Sequence, residues 1–290
     1  MMDYNKYFSA NRELWNKRTI IHKDSAFYDV AGFKKGKNAL TQIELKELGD
    51  VKGKKMLHLQ CHFGIDSLSW ARLGADVMGI DLSDEAIKEA KKLNDEAGLD
   101  AKFICCNVYD LHPQNMESSK VLPLRHRSAP AHAVPEDLGG AFDIVFTSYG
   151  VTGWLPDLKK WAEIISYYLK PGGTFYMAEF HPVIWMFDDD FKEIKYCYEN
   201  REVIETESQG TYTDRYADIK TKEYGWNHSI SEVLNALITH GMEIEFFNEH
   251  MYSPYPCFNN TVQNMEGSWW IKGLEDKIPM VYSVKAIKQF

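Results

Sequence analysis

Apolar and polar positions along this chain repeat with two periods, one of strands and one of helices. Met56, Leu57 and Leu59 form a short apolar run that predicts a buried strand, and Gly64 follows where the backbone turns into a helix beginning near Ile65. Leu68 and Ala71 to Leu73 continue the buried face of that helix, and Gly74 stands at its expected stop. Ala75 to Ile80 is a second predicted strand, ending in Asp81. Ser83 to Ala97 carries Ala86, Ile87, Ala90, Leu93 and Ala97 at helical spacing, with Ser83 as N-cap and Gly98 as terminator. Ala101 to Cys106, Phe142 to Thr147 and Thr174 to Phe180 predict three more strands. A helix over Trp154 to Leu169 separates the last two, and Lys170 to Gly173 breaks it from the fifth strand. Strands alternating with helices in this way predict an α/β chain with a mainly parallel sheet covered on both faces.

The alternation lapses after Phe180. Residues 183–225 are rich in aromatics, acids and short polar stretches, and they read as a cap over the strand ends. Ser231 to His240 then predicts a helix stopped by Gly241, while Met242 to Asn248 and Met280 to Ile287 alternate like strands. With no helix between them, these two are expected to pair antiparallel at the sheet edge. Residues 112–140 read as an irregular insertion. Its centre, Ser118 to Pro135, has no acid, three basic residues and three prolines, and reads as a surface loop, with a binding arm as the alternative.

Composition narrows the partners. A chain of 290 residues that is 44% hydrophobic can bury a sizeable core as one large domain, or as a domain plus a cap. Thirty-three basic residues against 42 acidic ones give a net charge of −9, which opposes non-specific attraction to nucleic acid or an anionic membrane. A small-molecule substrate is therefore expected. No apolar run reaches membrane-spanning length, and MMDYNKYFSANRELW lacks the apolar centre of a signal peptide, so a cytoplasmic location is expected. Cys61, Cys105, Cys106, Cys197 and Cys257 are scattered, without a CxxC pair, and indicate neither a disulfide framework nor a metal site.

The segment KKMLHLQCHFGIDSLSWARLGADVMGID, from Lys54 to Asp81, combines strand, tight turn, helix, strand and a carboxylate. A carboxylate at such a strand end can accept both hydroxyls of a ribose while loop amides at the helix start face an anion. The turn Gln60-Cys61-His62-Phe63-Gly64 keeps one glycine where a dinucleotide fingerprint has three. An ordinary strand–helix–strand unit in which Asp81 only caps the next helix also fits these residues.

With LHLQCHFG, Asp81, NVYD, FDIVFTSYG and LKPGG on the page, the chain resembles the class I S-adenosylmethionine-dependent methyltransferases. Longer strings, AEFHPV, EYGWNHSISEVLNALI and NEHMYSPYPCF, look like a bacterial-type subfamily acting on small molecules. The resemblance implies a Rossmann-like, doubly wound sheet with a terminal antiparallel pair. Residues 1–52 would form an N-terminal helical lid, and residues 53–290 the methyltransferase domain. It assigns the ribose to Asp81, the adenine face to Leu82, the adenine edge to Asn107 and the Val108 amide, and the methionine part to Gln60, Cys61 and Gly64. Ser148, directly after the fourth strand, joins this cofactor set. Asn107 stands where the family usually has an acid, so it accepts without bringing charge. On the predicted lid helix, Arg18 suits the methionine carboxylate and Trp15 the sulfonium, although a surface Arg and a core Trp fit equally.

Methyl transfer from a sulfonium is an in-line displacement, which asks the protein to align the partners and exclude water. A general base helps where the acceptor carries a proton. His181, directly after the fifth strand, and His228, before the next helix, are the candidates, and both also fit structural roles. Tyr149, Trp154 and Tyr255 are expected to wall the acceptor pocket. Two other functions remain open at this point, an NAD(P)-dependent oxidoreductase and a non-catalytic S-adenosylmethionine-binding module.

Overall fold

The computed structural model describes residues 4–111 and 138–290. The predicted loop over Ser118 to Pro135 lies outside the described residues. The elements run α1 (Asn5–His22), α2 (Val30–Lys34), α3 (Gln42–Leu48), β1 (Lys55–Leu59), α4 (Ile65–Arg72), β2 (Asp76–Asp81), α5 (Asp84–Ala97) and β3 (Lys102–Cys105). After the undescribed stretch come β4 (Phe142–Ser148), α6 (Leu158–Tyr168), β5 (Leu169–Phe180), β6 (Ile204–Gln209), β7 (Lys220–Gly225) and α7 (Ile230–Thr239). The chain finishes with β8 (Met242–His250), β9 (Thr261–Gln263), β10 (Trp269–Ile271) and β11 (Val281–Lys288).

Seven strands form one sheet in the order β3-β2-β1-β4-β5-β11-β8. The chain builds outward from β1 in both directions, so a crevice opens where β1 and β4 end side by side, as expected at a topological switch point. Successive residues face opposite sides of the sheet, and the core divides accordingly. Leu57, Val145, Phe175 and Met177 pack under α6 and α7 with Trp161, Ile165 and Leu237. Met56, Phe146, Tyr176 and Ala178 pack on the other face with Leu68, Trp70 and Ile87 of α4 and α5.

Several expectations change in detail. The two late strands do pair antiparallel, but β11 is not at the edge: it inserts between β5 and β8 and runs antiparallel to both. The helix expected from Trp154 starts at Leu158, because Asp157 caps it by accepting the amides of Lys159 and Lys160 at 3.1 Å. Thr152–Trp154 is a separate single turn. Lys170 to Gly173 belongs to β5, across from an irregularity in β4 where Lys170 pairs with Asp143 at 2.8 Å.

Residues 183–225 contain the antiparallel hairpin β6–β7. Helix α1 ties this hairpin to the main sheet. Asn11 exchanges two hydrogen bonds with the Tyr224 backbone, at 2.8 and 3.0 Å, and Arg12 Nε donates to the Leu82 carbonyl at 3.1 Å. Asn16 donates to Asp84 and accepts from the Ser83 hydroxyl, so α1 lies across the corner between β2 and α5. Among the described residues, no helix is long and apolar enough to cross a membrane.

Candidate active site

The turn after β1 is unusual in its backbone. Gln60 and His62 both have positive φ, 56° and 50°, a region that costs a side-chain-bearing residue about 1–2 kcal/mol. Neighbouring bonds hold the turn in place: Cys61 N–H donates to Ile80 O, Gly64 N–H to Cys61 O, and His62 N–H to Asp81 Oδ2 at 2.8 Å. At Gly64, φ is 77° and an added Cβ would come within 2.6 Å of the Phe103 ring, so only glycine fits where the turn enters α4.

Asp81 and Asn107 end up at adjacent strand ends, where Cys106 N–H bonds Asp81 O. The two Asp81 oxygens accept the amides of His62 and Ser83, each at 2.8 Å. Burial raises this carboxyl to about 6, against the lowering effect of those amides. Asn107 Oδ1 accepts the Tyr109 amide at 3.1 Å, so the oxygen expected to read adenine also starts a 3-10 turn. Val108 is buried in the core, and Leu82 holds Arg12 of α1 through its carbonyl. These four residues sit at the corner crossed by α1, and none of them lines the main cavity.

That cavity, of about 1290 Å³, opens between the β1 turn, the end of β4, α1 and the β6–β7 hairpin. Its wall includes Trp15, Arg18, Gln60, Cys61 and Gly64, and on the other side Ser148, Tyr149, Trp154 and Tyr255. Arg18 pairs with Glu223 at 2.8 Å and lies 5.5 Å from the Trp15 ring and 6.0 Å from the Trp154 ring. Trp15 and Trp154 meet edge to face at 5.4 Å, and Tyr149 meets Tyr255 in the same way at 5.1 Å. Ser148 donates to Asp66 Oδ2 at 3.1 Å.

Sequence reasoning missed the polar groups in this wall and behind it. Asp66 stands in the first turn of α4, in the cavity wall, and burial, then the nearby Glu44, raises its carboxyl to about 7. His62 also faces the cavity, with Nε2 3.0 Å from Nδ1 of His22. Burial depresses His62 to about 3 and His22 to about 2, so both rings are neutral. Glu179, one residue before the end of β5, accepts the amides of Gly150, Val151 and Thr152. It thereby shapes the loop that carries Trp154 and holds Gln60, whose Nε2 donates to Val151 O at 3.1 Å. A carboxylate in a first helical turn and another at a strand end were the available signals.

Both histidines expected to act on the acceptor lie elsewhere. His181 Nδ1 accepts the Val183 amide at 3.2 Å and Nε2 sits 3.0 Å from Glu249, among β5, β8 and β11. His228 has Nδ1 3.0 Å from Glu232 and Nε2 2.7 Å from Leu155 O. Neither lines the cavity, because partners on the sheet edge and on α7 orient both rings away from it.

A sheet with one antiparallel strand inserted beside β5, and a strand-end acid bonded to the turn before the first crossover helix, define the fold of class I S-adenosylmethionine-dependent methyltransferases. Residues 50–226 match the family described as "Methyltransferase domain". The chain belongs to this family. It is 31% identical to a ubiquinone biosynthesis O-methyltransferase of Psychrobacter cryohalolentis over 58% of this chain and 59% of that protein. The Acinetobacter baylyi protein of the same name is 28% identical over 45% of each. The chain thus spans about half the length of the curated relatives it matches. Among solved structures, geranyl diphosphate C-methyltransferase from Streptomyces coelicolor is similar with a TM-score of 0.56, at 14% identity over 97% of each chain. An S-adenosylmethionine-dependent methyltransferase from Mesorhizobium loti is similar with a TM-score of 0.52, at 18% identity over 88% of this chain and all of that one. These two likenesses show the fold. The family match favours methyl-transfer chemistry over the oxidoreductase.

The cofactor of this class is S-adenosylmethionine, and the polar atoms of the wall suit its amino-acid end. Arg18 Nε and Gln60 Oε1 are buried without a partner among the described residues. The first is a cationic donor suited to a carboxylate, and the second an acceptor suited to an ammonium.

Proposed function

We propose that the chain transfers a methyl group from S-adenosylmethionine to a small-molecule acceptor bound in the cavity beneath α1 and the β6–β7 hairpin. The observation that carries this reading is the free donor of Arg18 and the free acceptor of Gln60 on one cavity wall beside the β1 turn. When bound there, S-adenosylmethionine supplies a methyl group activated by a sulfonium.

The chain's own residues bind, orient and exclude water. Arg18 takes the carboxylate with its free Nε while Glu223 holds its other end, and Gln60 takes the ammonium because Val151 fixes its amide orientation. At the adjoining corner crossed by α1, outside the cavity wall itself, Asp81 would give its remaining lone pairs to the ribose, Leu82 would meet the adenine face, and Asn107 and Val108 would meet the adenine edge. Trp15 would shield the sulfonium, and Trp154 would wall the acceptor with Tyr149 and Tyr255. Helix α1 acts as a lid and residues 183–225 as the substrate cap, which keeps water from the reacting atoms.

The reading accords with the O-methyltransferase names of the relatives and with the absence of a helix able to cross a membrane among the described residues. A cytoplasmic enzyme acting on metabolites, without nucleic acid, is the corresponding setting. The test is transfer of a labelled methyl group from S-adenosylmethionine into a low-mass metabolite extract. Labelled product supports the reading; cofactor binding without any transfer identifies a non-catalytic module instead.

A further inference from the structure

One wall of the cavity carries a carboxyl without a cationic partner among the described residues. Asp66 accepts one hydrogen bond, from Ser148, and no Lys, Arg or His among the described residues pairs with it. Behind it, Glu44 is fully buried and bonded by Thr41 and by the Tyr149 hydroxyl, while its Oε1 has no partner among the described residues. Two adjacent carboxyls removed from water and unmatched by a cation are costly when ionised.

Aromatic rings surround the opening in front of Asp66. Phe27 meets Tyr28 at 5.0 Å, Tyr212 at 5.4 Å and Tyr255 at 5.6 Å, and Tyr255 meets Tyr149 at 5.1 Å. Tyr28, Tyr212 and Tyr255 line the same cavity as Asp66, and the Asp66 charge is among the causes that push up their phenols. Ring faces attract cations, and ring bodies hold an apolar group, whereas neither provides oxygen ligands for a metal ion. Among the described residues no group of three His, Cys, Asp or Glu side chains is arranged to hold one.

We propose that the methyl acceptor is a small amine with an apolar or aromatic body, whose protonated nitrogen pairs with Asp66 inside this enclosure. The proposal rests on the methyltransferase reading above and names the substrate class of that same site. Asp66 is also the proton acceptor. The ammonium N–H proton passes to the Asp66 carboxylate, which frees the nitrogen lone pair. That pair forms the bond to the methyl carbon as the carbon–sulfur bond breaks, its electrons going to sulfur. The product leaves as a methylated ammonium, and the proton on Asp66 returns to water.

Ser148 from β4 bonds the Asp66 carboxyl and Glu44 from α3 raises it, while the Asp66 charge in turn raises the Tyr28, Tyr212 and Tyr255 phenols. The phenols stay protonated at neutral pH. An arriving ammonium therefore meets an Asp66 that must be ionised, and its affinity rises with pH through about 7.

The test is calorimetric titration of the full chain, saturated with S-adenosylhomocysteine, with phenethylamine, phenethyl alcohol and hydrocinnamate. The expected result is binding of the amine about tenfold or more tightly than the alcohol, with the carboxylate weakest. Amine affinity should rise about tenfold between about pH 6 and about pH 8, following ionisation of Asp66. Asp66→Asn should abolish both the preference and the pH dependence while S-adenosylhomocysteine affinity stays within a few-fold. Equal binding of amine and alcohol by the parent chain, or tightest binding of the carboxylate, overturns the proposal without need of a variant. So does an Asp66→Asn chain that loses S-adenosylhomocysteine as severely as amine, since Asp66 would then serve the cofactor. Failure of the parent chain to bind S-adenosylhomocysteine would instead sink the methyltransferase reading itself.

Discussion

The Asp81 carboxylate accepts the backbone amide of His62 at 2.8 Å, so the acid that ends β2 holds the turn that follows β1. One side chain thus supports a backbone conformation that His62 and Gln60 adopt at a cost. Asp81→Ala should weaken S-adenosylhomocysteine binding by about 1.5–3 kcal/mol, through the lost ribose bonds and the loosened turn together. Calorimetry on the folded variant checks this, and an unchanged dissociation constant would remove Asp81 from the site. Asn107→Leu should also lower thermal stability, because it removes the cap on the Tyr109 amide.

Glu179 links β5 to the loop that fixes Gln60. Replacing it by Gln puts an N–H₂ against amides that need an acceptor, so Glu179→Gln should cost about 2–4 kcal/mol of stability. S-adenosylhomocysteine affinity should fall with it. Denaturation combined with a titration of the folded variant tests both parts; a stable variant with parental affinity would show that the loop keeps its shape without the carboxylate.

His181→Gln and His228→Gln should lower stability by about 1–2 kcal/mol each while cofactor affinity and methyl transfer per folded molecule stay near parental. Three of their ring nitrogens bond Val183, Glu232 and Leu155, and His181 Nε2 lies 3.0 Å from Glu249. A hundredfold loss of turnover in either folded variant would return that histidine to the site.

The pH dependence of stability separates Asp66 from the buried histidines. An unfolded Asp titrates near about 3.9, whereas Asp66 in the fold is raised to about 7. The folded chain holds this proton across that window, so the contribution of Asp66 falls as pH rises from about 4 to about 7. His22 and His62 act in the opposite sense: neutral in the fold, they cost stability as pH drops below about 6.5 and the unfolded rings protonate. Asp66→Asn removes only the first contribution. It should be more stable than the parent by about 2 kcal/mol at about pH 8, and little different at about pH 4. An equal difference at both pH values contradicts the assignment.

The α/β frame was legible because its strands and crossover helices carry strong periods and clear stops. Ser83 caps α5 by accepting the Ala86 amide, and Gly98 ends it with φ of 64°, as their positions predict. The insertion of β11 was not legible, since two alternating strands without a helix between them define a pair but not its neighbours. The β6–β7 hairpin escaped because both strands are short, polar and half exposed. In the site, the turn keeps one glycine where a dinucleotide fingerprint has three, and the structure shows Gln60 and His62 adopting the glycine-like conformation themselves. His181 and His228 were misplaced because a position after a strand does not say which way the ring turns. Asp66, Tyr28 and Tyr212 come together only through folding, from segments whose spacing carries no motif.

The most direct measurement compares S-adenosylhomocysteine with methylthioadenosine, which lacks the amino-acid end, by titration into the parent chain. If Arg18 and Gln60 hold that end, S-adenosylhomocysteine binds about tenfold or more tightly, the worth of the charge-assisted bonds that the shorter ligand cannot make. Equal affinity for the two ligands, or no binding of either, would contradict the account.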